Sequence, residues 1–212
     1  MSMYQVKTPW WLSDMLYSKL VWKMPVTDEP TVYLTFDDGP HPKATRFVLD
    51  ELKKYNAAAT FFCIGKNVIA HPDIYNEIIE AGHTIGNHSH NHLNGWHTRT
   101  GAYLKNVLKA STYINSKLYR PPYGRIRRHQ ASKLLGANHA WRIYMWDVLS
   151  GDFDISITPE KCLENVLNNI EPGSIVVFHD SDKAWERMRY ALPKVLEFCR
   201  EKNWQLKGLP KA

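Results

Sequence analysis

The stretch TVYLTFDDGP, residues 31–40, decides how the fold of this chain is interpreted. Its first six residues are mostly β-branched or aromatic, which is typical of a buried strand. Two adjacent carboxylates, Asp37 and Asp38, follow directly. Asp-Gly pairs are common in turns, where Gly39 would supply a backbone conformation that other residues resist. By itself the stretch predicts a buried strand that runs into a turn.

Strand and helix patterns alternate along the rest of the chain. Strand candidates lie at residues 31–37, 58–64, 83–87, 117–120, 139–147, 174–179 and 204–209. Helical patterns lie at residues 43–55, 66–81, 98–116, 127–136, 158–170 and 184–202. Regular alternation predicts βαβ units and a parallel sheet. Seven strand candidates suit an incomplete (β/α) barrel as well as an open doubly wound sheet.

The composition is that of a globular protein with one substantial core. The 212 residues are 44% apolar and 23% charged, with a formal net charge of +6. No run of five or more Lys or Arg occurs, so we expect no nucleic-acid partner. Cys63, Cys162 and Cys199 form no CxxC pair, and we expect three buried free thiols rather than disulfides or a cysteine-based zinc site.

Residues 1–30 carry an apolar, tryptophan-rich pattern interrupted by charges. No signal-peptide pattern is recognisable there and no segment is long enough to span a membrane, so we expect a cytoplasmic protein or one associated with the cell envelope. The apolar residues have roughly helical spacing, which suits packing on the protein's own domain, a membrane surface or a partner. We expect residues 1–30 to pack on a single domain formed by residues 31–212. The oligomeric state is left open.

Polar residues with catalytic chemistry follow several predicted strands. They are Asp37, Asp38, His88, His92, Arg120, Asp152 and His179. In barrels and open α/β sheets the carboxyl ends of parallel strands share one face, where ligands bind. These residues, distant in sequence, are therefore expected to converge on one pocket.

The spacing of two histidines indicates a metal site. His88 and His92 are four residues apart, so on a helical turn both would face one ion. A carboxylate from the first strand, Asp37 or Asp38, would complete a His-His-Asp set with open positions, as a catalytic metal requires. The other aspartate would then be placed to accept a proton from water.

Four motifs in this order resemble those of the polysaccharide deacetylase family, carbohydrate esterase family 4, with its NodB-homology domain. They are TFDDGP at residues 35–40, HSHNH at 88–92, RPPYG at 120–124 and VFHD at 177–180. The resemblance implies a distorted, incomplete (β/α) barrel of about seven parallel strands with helices outside. It also implies a metal-dependent hydrolase that removes N-acetyl groups from N-acetylglucosamine-type oligo- or polysaccharides, peptidoglycan or chitin-like, and releases acetate.

The resemblance assigns roles at the metal and the base. Asp37 resembles the catalytic base, and Arg120 resembles the arginine that orients it. Asp38, His88 and His92 resemble the ligands of one divalent ion. Such a set suits Zn²⁺, which we expect, and also Co²⁺, Ni²⁺, Mn²⁺ or Fe²⁺.

The resemblance also assigns the acid and the contacts to substrate. His179 resembles the general acid, with Asp152 as the carboxylate that pairs with it. The backbone N–H of Tyr123 resembles an oxyanion donor, and Tyr123 and Pro122 are expected to contact substrate. Val177 stands where the family usually has Leu, and we expect it to line an acetyl-sized pocket.

Some positions leave alternatives open. Many relatives have Asp followed by Trp where this chain has Asp152 and Phe153, so Asp147 and Asp180 remain rival partners for the histidine. His41 lies three residues beyond Asp38 and is expected at the rim of the pocket. An O-acetyl esterase or a small-amide hydrolase would use the same residues. A non-catalytic carbohydrate-binding protein would lack the base or a ligand, all of which are present.

Overall fold

A parallel β-sheet forms the centre of the computed structural model, which describes residues 4–136 and 140–211. Its strands are β1 (Thr31–Asp37), β2 (Thr60–Cys63), β3 (Thr84–Asn87), β4 (Leu118–Tyr119), β5 (Arg142–Ile143), β6 (Val148–Leu149), β7 (Ile175–His179) and β8 (Gln205–Leu206). Seven of these described strands follow the order β5-β4-β3-β2-β1-β7-β6, and β8 pairs with the start of β1. All of these pairings are parallel.

Helices connect the strands and cover the sheet. They are α1 (Ala44–Lys54), α2 (Gly65–Ala70), α3 (Pro72–Glu80), α4 (Thr100–Ala110), α5 (Arg128–Leu135), α6 (Pro159–Leu167) and α7 (Trp185–Glu201). The predicted start of α6 is confirmed, because Thr158 Oγ1 accepts a hydrogen bond from the Lys161 amide at 3.2 Å. The sheet curls into an incomplete barrel with helices outside, so the predicted fold class is also confirmed.

Alternation along β1 separates the core from the barrel interior. Val32, Leu34 and Phe36 belong to the main hydrophobic core, where the Phe36 ring stacks 5.1 Å from Phe61. Side chains two apart on a strand share a face, so Asp37 points to the same side as Thr35, opposite that core. The first strand thus places a carboxylate inside the barrel rather than on its helical exterior.

The strand predicted at residues 139–147 is confirmed only in part, because β5 (Arg142–Ile143) forms within it and a separate strand, β6 (Val148–Leu149), follows it unpredicted. β5 pairs with β4 at one edge, whereas β6 pairs with β7 at the other. Residues 144–147 cross the gap between these edges, which is why the barrel is incomplete. His139 lies outside the described residues. The sequence pattern does not show this crossing, because periodicity indicates which faces are buried and not which strand is adjacent.

The single helix predicted at residues 66–81 is wrong. It is divided into α2 and α3 at His71, which has φ −136° and ψ 60°. Pro72 causes the division, because a proline ring disfavours helical geometry in the preceding residue and lacks a backbone N–H.

The described part of the N-terminal segment, residues 4–30, spans the gap between the two sheet edges. Lys7 forms an antiparallel bridge to Val148, and Val21 forms a parallel bridge to Tyr144. Leu20 is buried in a second hydrophobic cluster beneath these contacts. The segment therefore covers the open side of the barrel. No helix among the described residues is long and apolar enough to cross a membrane.

Candidate metal and catalytic site

Three side chains at the carboxyl ends of β1 and β3 form a candidate metal centre. One ligand atom each from Asp38, His88 and His92 lies within 4.8 Å of the others. Asp38 Oδ1 is 3.2 Å from His92 Nε2 and 3.8 Å from His88 Nε2. This oxygen is buried and accepts no hydrogen bond from the described residues. A buried carboxylate oxygen without a partner is costly, and a divalent cation would satisfy it, so the residues fit a metal.

The turn after β1 depends on Gly39 for a different reason from the one predicted. Asp38 adopts the left-handed conformation, with φ 84°, whereas Gly39 does not have a positive φ. A Cβ on Gly39 would lie 2.1 Å from Asp180 Oδ2. The Gly39 amide donates a hydrogen bond of 2.9 Å to Asp180 Oδ1, and the Thr45 hydroxyl donates to Asp180 Oδ2. Gly39 is required for close approach, and Asp180 anchors the turn that carries Asp38.

The two histidines converge without the helical turn expected from their spacing. They lie in a loop after β3, where Ser89 has φ 64° and His92 has φ 56°. Asn106 Oδ1 accepts hydrogen bonds from the His90 and Asn91 amides at 3.0 and 2.9 Å. A side chain from α4 therefore fixes this loop, which the local sequence pattern did not show.

Burial favours the neutral form of both histidines, and a hydrogen bond also orients His88. His88 Nδ1 is 2.8 Å from the carbonyl oxygen of Arg120, so Nδ1 donates and Nε2 presents its lone pair to Asp38. Burial, followed by the charge of His92, lowers the pKa of His88 well below its ordinary value. Burial likewise lowers the pKa of His92, against the attraction of Asp38.

Arg120 holds Asp37, the other aspartate of the cleft. Asp37 Oδ1 accepts a 2.8 Å hydrogen bond from Arg120 Nη1, and that same nitrogen donates to Thr35 Oγ1 at 2.6 Å. Arg120 is completely buried and also donates to the carbonyl oxygens of Tyr144 and Met145. Burial lowers the pKa of Arg120, although Asp37 opposes the change. Four acceptors hold the guanidinium in one position, so it orients Asp37.

His179 is paired with Asp152. Its Nδ1 lies 2.7 Å from Asp152 Oδ1, and its backbone amide donates to Asp152 Oδ2 at 2.6 Å. Burial lowers the pKa of His179, but the charge and hydrogen bond of Asp152, with smaller contributions from the charges of Asp38 and Asp37, raise it to about 9. Its imidazole is therefore cationic at neutral pH, as a general acid requires.

The other candidate partners and His41 make different contacts. Asp147 accepts from Lys7 Nζ at 3.0 Å and from the Ile175 amide at 2.7 Å. His41 Nδ1 accepts from the Ala44 amide at 3.1 Å, so it caps α1, and it does not line the catalytic cleft. Burial is the main cause that raises the pKa of Asp180 to about 8. All three side chains therefore stabilise the fold and do not pair with His179.

The catalytic cleft has a volume of about 580 Å³. It is lined by Tyr4, Asp37, Asp38, His88, His92, Asn94, Tyr123, Gly124, Arg125, Trp146, Leu149, Phe153, Val177, His179 and Lys183. Tyr123 is 61% exposed, and its ring centroid lies 4.4 Å from that of His92. Tyr123 has φ 60°, a strained conformation of the kind that clusters at functional sites. Pro122 is buried outside the lining, contrary to the expected substrate contact.

Sequence reasoning missed three residues that support the cleft: Thr35, Thr45 and Asn106. Alternation in β1 could have indicated Thr35, because it shares a strand face with Asp37. No comparable signal marks Thr45 or Asn106, which lie on helices. Together the cleft offers a carboxylate held by Arg120, a cationic histidine and a candidate metal centre, a combination that suits hydrolysis of an amide or ester.

Comparisons with known proteins agree with this chemistry. A family model described as polysaccharide deacetylase matches residues 25–140. A peptidoglycan-N-acetylglucosamine deacetylase from Bacillus cereus is 35% identical over 71% of this chain and 56% of its own length. A chitooligosaccharide deacetylase from Azorhizobium caulinodans is 30% identical over 72% of this chain and 75% of its own length. A solved peptidoglycan N-acetylglucosamine deacetylase has a TM-score of 0.85 and 30% identity, with 95% and 96% of the two chains covered. The chain spans about half the length of the relative from Bacillus cereus.

Proposed function

This chain belongs to the polysaccharide deacetylase family, and we propose that it removes N-acetyl groups from N-acetylglucosamine-type oligo- or polysaccharides, peptidoglycan or chitin-like, and releases acetate. The observation that carries the proposal is the convergence of three groups on one cleft. Asp37 is held by Arg120, His179 is held by Asp152, and the candidate metal ligands lie beside them.

Asp38, His88 and His92 would hold the ion, which we propose to be Zn²⁺, with Co²⁺, Ni²⁺, Mn²⁺ and Fe²⁺ also compatible with two imidazoles and a carboxylate. A bound divalent ion polarises a carbonyl and makes water more acidic.

Asp37 begins the reaction by accepting a proton from the water that attacks the amide carbon. Its hydrogen bond from Arg120 keeps the carboxylate directed into the cleft. We assign the backbone N–H of Tyr123 to the oxyanion that develops on the carbonyl oxygen, where a fixed donor stabilises the transition state. Val177, which lines the cleft, would contact the acetyl methyl group.

His179 completes the reaction by giving its proton to the leaving nitrogen. The C–N bond then breaks to a free amine and acetate, while Asp37 holds the proton taken from water. Because the pKa of His179 is about 9, the imidazole carries that proton at neutral pH. Asp152 holds the imidazole through Nδ1, which leaves Nε2 free to act as the acid.

Acetate release from N-acetylglucosamine oligomers by metal-loaded protein tests the proposal. The matched variant is Asp37→Asn, which should bind metal and release no acetate. No turnover of N-acetyl or O-acetyl glycans, with the metal shown to be bound, would refute it. Turnover of O-acetyl esters or small amides alone would assign one of those activities instead. Fractionation of cells would test the expected cytoplasmic or envelope-associated location.

A further inference from the structure

A second cavity, of about 350 Å³, adjoins the catalytic cleft. It lies between the N-terminal segment and the loops that follow β4 and β5. Six residues line both spaces: Tyr4, Tyr123, Gly124, Arg125, Trp146 and Leu149. A ligand held in the cleft would therefore need only to pass these shared residues to enter the second cavity.

The walls of the second cavity are almost entirely apolar. Trp11, Leu12 and Trp22 form much of the side contributed by the N-terminal segment. Two hydroxyls of that side are already bonded within the protein: Thr8 donates to the Trp146 carbonyl at 2.7 Å, and Tyr17 donates to the Ile126 carbonyl at 3.1 Å. Sugar hydroxyls would find few partners on this wall to replace their hydrogen bonds to water. The cavity fits a hydrocarbon group better than a further sugar.

The group that enters the cavity must come from the sugar side of the substrate. The carbonyl carbon has to lie near Asp37 and His179, and the acetyl methyl group near Val177. None of these three residues lines the second cavity. An acyl chain attached to the reacting carbon would begin in the catalytic cleft, separated from the second cavity by the six residues that line both spaces.

We propose that this cavity binds an aliphatic chain attached to the sugar that is deacetylated. The substrate class is then an N-acetylated amino sugar with an apolar chain on its sugar portion, held beside the cleft by the N-terminal segment. This inference rests on the proposed deacetylase function. It assigns the tryptophan-rich segment a role in choosing substrate, in addition to covering the barrel edge.

A series of glycosides tests the proposal. Methyl, butyl and hexyl β-glycosides of N-acetylglucosamine are supplied below their micellar concentrations, and acetate release is measured. Each buried methylene is worth up to about a fourfold change in affinity, and we expect kcat/KM to rise at least about tenfold from methyl to hexyl, mainly through KM. Rates equal across the series would overturn the proposal.

Two adjacent tryptophans provide a matched pair of variants. Trp11 lines the cavity, whereas Trp10 is 68% exposed and lies outside its lining. Trp11→Ala should reduce the hexyl-to-methyl ratio towards one, and Trp10→Ala should leave it unchanged. If Trp11→Ala slowed N-acetylglucosamine oligomers as much as the hexyl glycoside, the cavity would be a sugar site instead. If N-acyl chain length, and not glycoside chain length, controlled the rate, the occupant would be the acyl group.

Calorimetric titration separates this inference from the proposed activity. Hexyl and methyl glycosides are titrated into the protein, and their Kd values are compared without regard to turnover. Tighter binding of the hexyl glycoside, lost in Trp11→Ala, would support the cavity assignment even if no acetate were released. Equal Kd values would refute it, even if N-acetylglucosamine oligomers were deacetylated normally.

Discussion

Replacing Asp152 with Asn should remove the interaction that keeps His179 protonated. Burial alone lowers the pKa of His179, and the carboxylate of Asp152 is the main group, ahead of Asp38 and Asp37, that raises it to about 9. Without that charge the pKa should fall to its ordinary value of about 6.5 or lower. The change of about 2.5 pKa units corresponds to about 3 kcal/mol between the two protonation states.

The pH profile of kcat/KM is the measurement. The wild-type profile should decline on the basic side near pH 9, and the Asp152→Asn profile should decline at or below about pH 6.5. At pH 8 the protonated fraction should be at least about thirtyfold lower in the variant, and the difference between the two proteins should shrink as the pH is lowered towards 6. A basic limb that stays near pH 9 in a folded variant would refute the role of Asp152.

The same pair should affect stability in a definite direction. Because the folded pKa of His179 is raised, its contribution is complete below the unfolded pKa of about 6.5 and is lost as pH rises through about 9. The free energy of unfolding, measured in urea, should therefore lose up to about 3 kcal/mol from this pair across that window. In Asp152→Asn this pH-dependent component should disappear. An unchanged pH dependence would show that the pair contributes little to folding.

Four further substitutions and one control test the site and the core. Asp37→Asn should retain metal in equilibrium dialysis and lose about 10²-fold or more in kcat, whereas Asp38→Asn should weaken metal binding itself. If both variants bound metal and turned over normally, the two aspartates would have no role beyond forming the turn. Gly39→Ala should lower the free energy of unfolding by about 1–3 kcal/mol, because its Cβ would lie 2.1 Å from a carboxylate oxygen. Gly101→Ala is its control, since a Cβ there meets nothing within 4 Å. Phe36→Ala should cost about 3–5 kcal/mol in urea unfolding, because the ring is fully buried between two others; a cost below about 1 kcal/mol would contradict that packing.

Local patterns were sufficient for most of the elements and for the principal site residues. β1 has the predicted bounds, Thr31–Asp37, because β-branched and aromatic side chains favour a buried strand. The positions of Asp38, His88 and His92 after predicted strands indicated that these side chains lie together, because the carboxyl ends of parallel strands meet on one face. The spacing of the histidines was informative even though its helical explanation was wrong.

Patterns failed where one stretch of chain serves two parts of the fold. Residues 139–147 are apolar and aromatic enough to predict one strand, yet in their described part only β5 forms, and the β6 strand that follows lies at the opposite edge of the sheet. Periodicity reports which faces are buried and not which strand is adjacent. The N-terminal segment was expected to pack on the domain, but its apolar side suits any apolar surface, so the pattern could not indicate which part of the domain it covers.

The sequence by itself determined the alternation of strands and helices, and it indicated which polar side chains lie together at one end of the sheet. Only the tertiary structure decided which groups touch. Asp147, Asp152 and Asp180 offer the same carboxylate near the same strand ends, but only Asp152 lies 2.7 Å from His179 Nδ1. Gly39 was recognised as necessary, but the carboxylate that leaves no space for a Cβ belongs to Asp180, distant in sequence. Strand and helix patterns arise from neighbouring residues, whereas hydrogen bonds and close packing depend on distances that exist only after the chain has folded.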